Sequence, residues 1–257
     1  MFSTLTIFFF LQGWVWTIGS DPNKEGELLT GAWDTHVKHW DLNKLQLLNT
    51  FKYHSGPILS LACRDQIVTT GCFDKHVRQF DLRSNQVIND FTHHKKSVIS
   101  LHLANNYIYS GSDDRTVGVF DIRGGGKLLT RLRIDSPALC LNTGEEEGFN
   151  FLRVGGKNGS MYVFDTTDGS RFSLLNSLNI WSEQKKVTDM CTYRGYLMAC
   201  SEAGSVRAYC PGRDCTFQKK FDDVHNQSGV TSCCSSDSLM LTGGEDCSVY
   251  EWRFYDQ

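Results

Sequence analysis

The sequence predicts an all-β chain built as a propeller of small repeated sheets. Three observations carry this. A motif recurs every 40 to 45 residues, each recurrence is made of short β-rich runs, and no run of ten or more residues shows helical periodicity. Four short strands in a repeat of about 40 residues is the pattern of a propeller blade.

The motif is clearest in residues 30–41, 70–81 and 110–121. A small residue precedes a glycine; Asp follows three positions after it, Val at six, an aromatic at nine and a second Asp at ten. The glycines Gly31, Gly71 and Gly111 stand 40 residues apart. The motif continues at Gly155 with Asn158, Met161, Phe164 and Asp165. It weakens at Cys200, with Ala203, Val206 and Tyr209, and recovers at Gly243 with Asp246, Val249 and Trp252. Spacings of 40, 40, 44, 45 and 43 thus define six blades.

Each recurrence divides into strands, named a to d outward. In the second unit, residues 57–63, 66–71, 76–81 and 86–91 are β-rich and are parted by polar or glycine-containing turns. Strands d of the first five blades are expected near 45–51, 86–91, 127–133, 172–176 and 217–221. The sixth blade shows strands a, b and c only. On these residues the sequence resembles the WD-repeat family. Its Trp-Asp signature stands here as Trp40-Asp41, and as Phe-Asp at Phe80-Asp81, Phe120-Asp121 and Phe164-Asp165. The family's Gly-His pair survives as single histidines, His54, His94 and His225. The resemblance implies a WD40 β-propeller over residues 13–257. Such propellers more often have seven blades, so six recognisable blades lead to the expectation of a ring incomplete by one.

Residues 1–12 stand apart as an atypical apolar N-terminal segment. No Lys or Arg precedes the run, no small-x-small cleavage site follows, and it is far shorter than the ~20 residues of a membrane span. Export is therefore not expected, although Asn158-Gly159-Ser160 and Asn226-Gln227-Ser228 are sequons. Phe8-Phe9-Phe10-Leu11-Gln12 back-translates to a pyrimidine-rich stretch able to end in CAG, as an intron does. The segment is read as read-through or an alternative start; the other reading is a clasping strand, because propellers of this family close their last blade with the N-terminus and residues 3–10 are β-prone.

Composition narrows the classes of function. With 257 residues, 40% hydrophobic and 12% aromatic, the chain buries a sizeable core and is not mainly disordered. A net charge of −3 leaves no basic footprint, so neither nucleic acid nor a membrane is expected as partner. Ten cysteines include no Cys-x2-Cys pair, so free thiols, no metal, no cofactor and an intracellular location, cytoplasmic or nuclear, are expected. Histidine, hydroxyl and carboxylate recur as His54, Thr70, Asp74; His94, Ser110, Asp114; and His225, Thr242, Asp246 with Trp252. A catalytic triad is built once per site, so a set repeated in three blades reads as structure, not catalysis. The resemblance implies a buried hydrogen-bonded chain tying turns to strands. Gly124-Gly125-Gly126 lacks the Gly-Lys-Ser/Thr ending of a phosphate loop, and Glu145-Glu146-Glu147 is expected in a solvated a–b loop.

Propellers like this one usually bind partners on the face carrying the d–a and b–c turns. The residue before each turn Asp gives one ring: Trp33, Phe73, Asp113, Lys157, Glu202 and Glu245. The start of strand a gives a second: Trp16, Leu59, Ile99, Leu139, Thr188 and Thr231. Trp16, Trp33, Leu59 and Phe73 form an aromatic-apolar sector, where apolar exposure marks an interface. Asp113, Glu202 and Glu245 are expected to read basic groups on a peptide. The function expected is a non-catalytic scaffold binding proteins or short peptide motifs. Its blades look most like the substrate-recognition half of an F-box/WD-repeat ubiquitin-ligase adaptor, without the F-box. The alternatives are an assembly factor in RNA processing, signalling or trafficking, and a propeller enzyme, which would need carboxylates or histidines converging on strand a.

Overall fold

The computed structural model describes residues 13–123, 125–146, 148–169, 171–181, 185–236 and 238–253. The N-terminal segment 1–12, with its read-through and clasping readings, lies outside them. Blade 1 is β1 (Val15–Gly19), β2 (Glu27–Ala32), β3 (Val37–Asp41) and β4 (Gln46–Phe51). Blade 2 is β5 (Ile58–Arg64), β6 (Ile67–Cys72), β7 (Val77–Asp81) and β8 (Gln86–Phe91). Blade 3 is β9 (Val98–Ala104), β10 (Tyr107–Ser112), β11 (Thr116–Asp121) and β12 (Lys127–Arg133). Blade 4 is β13 (Ala138–Glu146), β14 (Phe149–Gly156), β15 (Ser160–Asp165) and β16 (Ser173–Asn179). Blade 5 is β17 (Val187–Tyr193), β18 (Tyr196–Ser201), β19 (Val206–Tyr209) and β20 (Phe217–Phe221). Blade 6 has three strands among the described residues, β21 (Val230–Ser235), β22 (Met240–Gly244) and β23 (Val249–Trp252). Strands pair in sequence order within each blade, and no helix occurs among the described residues. Contacts divide the chain into two compact units, one carrying blades 1–3 and the other blades 4–6.

The motif's residue types follow from where they sit. A Cβ on Gly31 would stand 2.6 Å from Ile58 of blade 2, and one on Gly71 would stand 2.7 Å from Val98 of blade 3. Glycine is required because the next blade's strand a packs directly on it. The valine at six and the aromatic at nine enter the core: Val37, Val77, Trp40 and Phe80 are all buried. Both Asp positions make Asx turns, in which a short carboxylate bonds the backbone two residues on. Asp34 Oδ1 accepts from His36 N at 3.0 Å and Asp74 Oδ1 from His76 N at 3.1 Å. At the second position Asp41, Asp81, Asp121 and Asp165 accept from Asn43, Arg83, Arg123 and Thr167 N at 2.7–2.9 Å.

Strand d of one blade stacks on strand c of the next. Phe51 lies 4.8 Å from Phe80 and Phe91 lies 4.5 Å from Phe120, ring centre to ring centre. In the second unit Phe221 meets Trp252 edge-on at 5.2 Å. Two boundaries depart from expectation by more than one residue. Strand β16 runs three residues beyond the expected 172–176, to Asn179, because Ser160 and Met161 keep pairing with it. Glu145 and Glu146 are strand, not loop: the β13–β14 ladder continues to Glu146↔Phe149.

Candidate functional site: the b–c turns and the bulges of strand a

The six residues expected to project from the b–c turns occupy one equivalent position. In each blade the backbone N–H of that residue donates to a carbonyl just before strand a. The pairs are Trp33 to Trp14 at 2.9 Å, Phe73 to Pro57 at 3.0 Å, Asp113 to Ser97 at 3.1 Å, Lys157 to Pro137 at 3.1 Å, Glu202 to Lys186 at 3.4 Å and Glu245 to Gly229 at 2.9 Å. Each turn then closes through a residue with positive φ: Thr35, Lys75, Arg115, Gly159, Gly204 and Cys247. The second expected ring has its own backbone signature. The register of strand a against strand b slips at Val15/Thr17, Ile58/Ser60, Ala138/Cys140, Val187/Asp189 and Val230/Ser232, and blade 3 pairs Ser112 with Val98 and Gly111 with Ser100. Trp16, Leu59, Ile99, Leu139, Thr188 and Thr231 are therefore the extra residues of six β-bulges. A bulge re-aims a side chain out of the sheet pattern.

In the first unit this geometry gathers tryptophans. Trp16 and Trp14 flank Trp33, with ring centres 6.1 and 6.2 Å away and planes tilted by 51° and 60°. They remain 54% (Trp16), 76% (Trp14) and 49% (Trp33) exposed, and Phe73 in the next blade is 56% exposed. Leu59 is half-buried beside that turn. Trp14 was missed by motif spacing. Its signal is the Trp-Val-Trp run of residues 14–16, which doubles the indoles at the start of strand a.

The acidic residues sit at the expected turn positions, two of them beside a lysine. Asp113 faces Lys96 Nζ at 3.3 Å, and Glu202 faces Lys186 Nζ at 2.5 Å while also accepting from Lys186 N. Both ion pairs are partly exposed to solvent, so each is worth little on its own. Glu245, in the second unit with the exposed Lys157, is itself exposed.

Beneath the turns, the three histidine sets are joined by hydrogen bonds. His94 Nε2 and Ser110 Oγ are 2.7 Å apart, with Asp114 Oδ2 3.2 Å from Nδ1. His225 stands 3.0 Å from Thr242 Oγ1 and 2.8 Å from Asp246, and Trp252 Nε1 donates to the same threonine. Trp40 Nε1 donates to Thr30 Oγ1 in blade 1 in the same way. Burial lowers the His94 pKa despite the opposing pull of Asp114, which favours the neutral ring.

Blade 2 differs through Arg78, which the motif did not single out. Its Nη1 lies 2.6 Å from His54 Nδ1 and 2.8 Å from Asp74 Oδ2, and its Nε donates to Asp90 at 2.9 Å. Burial would raise the Asp74 carboxyl, but hydrogen bonds from His54 and Arg78 outweigh it and hold it far below the usual carboxylate range.

His54, Cys72 and Asp74 bring ligand-type atoms within 4.8 Å of one another. Two observations favour structure over a metal. The Arg78 guanidinium already sits against both His54 and Asp74 as the local cation. Cys72 also does the work of the hydroxyl at Ser112: its thiol bonds the Gly56 carbonyl and takes Asp74 N–H, as Ser112 Oγ bonds Lys96 O and takes Asp114 N–H. Burial pushes the Cys72 thiol up to about 12, so the thiolate a metal needs is disfavoured. All ten cysteines are free, seven of them buried.

Comparison with known proteins agrees with this architecture. The family model described as WD domain, G-beta repeat matches residues 45–81, 85–121 and 215–253, each running from a strand d through the next strand c. No curated protein matches the chain. Among solved structures, the computationally designed Ika8 protein is 23% identical with a TM-score of 0.75, over 93% of this chain and 71% of that one. A chain in the crystal structure of the Mitotic Checkpoint Complex is 16% identical with a TM-score of 0.83, over 95% and 76%. Repeating sheets, motif residues and these likenesses agree: the described residues form a six-bladed β-propeller, and WD40 repeats are matched at three positions along it.

Proposed function

We propose that this protein is a non-catalytic interaction scaffold that captures short peptide motifs by an apolar anchor on the b–c turns of blades 1 and 2. The observation that carries the reading is the exposed tryptophan cluster of Trp14, Trp16 and Trp33, with Phe73 exposed in the equivalent turn of the next blade. Exposed aromatics held by bulges and turn hydrogen bonds add nothing to the blade core, and aromatic anchors dominate binding energetics at interfaces. The broader setting we propose is substrate recognition for an F-box-type ubiquitin ligase, with the captured peptide belonging to the ligase substrate.

The test is affinity purification of the full chain beside a Trp33→Ala/Phe73→Ala double variant, each first shown to be folded by its melting transition. The reading expects partner proteins with the wild type and their loss with the double variant. Undiminished capture by the double variant contradicts the site. Captured partners that carry ubiquitin in cells support the adaptor setting, and partners that carry none remove that setting while leaving the scaffold reading in place.

A further inference from the structure

A groove recurs on the blades away from the b–c turns, and its contents differ from blade to blade. On blade 2, against blade 3, a cavity of about 230 Å³ is lined by Ile67, Thr69, Gln79 and Asn89. Side-chain amides fill much of it: Gln79 Nε2 donates to Thr69 Oγ1 at 3.2 Å, and Asn89 stands 2.8 Å from Gln79 Oε1. Register places Tyr196, Met198, Ala208 and Lys219 of blade 5 at the same four positions, and there the cavity is about 420 Å³. Replacing Gln79 by its counterpart Ala208 removes the side chain that plugs the blade 2 groove.

The enlarged groove has a definite chemistry. Its accessible surface is apolar, formed by the half-exposed ring of Tyr196 and by Phe221, with Met198 and Ala208 buried beneath them. Two cations stand over that surface: Lys219 Nζ lies 5.2 Å from the Phe221 ring centre, and the Arg194 guanidinium lies 5.9 Å from that of Tyr193. None of the described lining side chains is acidic. An apolar pocket under a cationic rim selects an apolar side chain flanked by carboxylates.

We propose that the blade 5 groove is a second docking site, separate from the b–c turns, for an acidic segment of a partner protein that seats one aliphatic or aromatic side chain against Tyr196 and Phe221. Lys219 pairs with an acidic residue beside that anchor. Because the rim is solvent-exposed, binding weakens as salt rises.

The probe is a short fluorescein-labelled peptide in which leucines alternate with glutamates, titrated into the full chain and read by fluorescence anisotropy. A matched peptide with lysines for glutamates is the control. Lys219→Glu is expected to weaken the acidic peptide about tenfold or more. Ala208→Leu, which refills the groove, is expected to abolish binding, and Trp33→Ala to leave it unchanged. If Ala208→Leu does not fold, the surface variant Lys219→Glu still decides the matter. Equal binding of the two peptides, or wild-type affinity in Lys219→Glu, overturns the proposal. Loss of binding in Trp33→Ala with Lys219→Glu unaffected would move the acidic peptide to the b–c turns and overturn this site alone.

Discussion

At residue scale the most informative side chains are those that replace the motif's usual member while keeping its job. Cys72 stands for Ser112, so Cys72→Ser should leave stability within about 1 kcal/mol of wild type. Cys72→Val, which strands the Asp74 N–H, should cost about 1–3 kcal/mol in urea denaturation. A metal-held blade would instead lose stability in Cys72→Ser as well, and on treatment with chelator. His102 offers a pH test. Burial, assisted by the Arg64 charge, lowers its pKa from 6.5 to about 4 in the folded chain. Between those values the unfolded chain binds a proton that the folded chain does not, so this contribution to stability is present above pH 6.5 and lost as pH falls toward 4. Replacing His102 by Gln should remove at most ~3 kcal/mol of that acid-side loss, read from melting curves across the window.

At element scale the b–c turns and strands d carry the architecture. The turn residue Thr35 has φ of 73°, a left-handed conformation that a β-branched residue adopts at a cost. Blades 4 and 5 use Gly159 and Gly204 at that position, so Thr35→Gly should stabilise by about 1 kcal/mol. Phe91 ends strand d of blade 2, buried against Phe120, and Phe91→Ala should cost about 3–5 kcal/mol. Hydrogen exchange should locate that loss in blades 2 and 3 and spare blade 5.

The elements were largely legible because the motif pairs glycine, core residue and Asx turn at fixed offsets, and three of the five expected strands d match to the residue. Strands β13 and β16 outran expectation because ladder pairing overrides polar composition when the partner strand continues. The bulges were not legible, since a single inserted residue leaves no mark in a 40-residue repeat. The lysine partners of Asp113 and Glu202 were hidden for a related reason: Lys96 and Lys186 precede strand a, far from those carboxylates in sequence.

At the scale of the whole molecule, the described residues offer several places for contact. Its buried polar groups mostly satisfy one another, its thiols are largely buried, and no described helix is long and apolar enough to cross a membrane. Exposed aromatic area concentrates in the tryptophan cluster of the first unit, whereas the open cationic groove belongs to the second. That the surface built by Trp33 and its neighbours captures protein is the central claim, and site-specific photocrosslinking tests it most directly. A benzophenone amino acid is placed at position 33 in one sample and, as a control, at the exposed strand d position 87 in another. Both are irradiated in cell extract and resolved by denaturing electrophoresis. The account predicts discrete crosslinked partners from position 33 that are absent from position 87. Crosslinks of equal yield at both positions, or from position 87 alone, would contradict it.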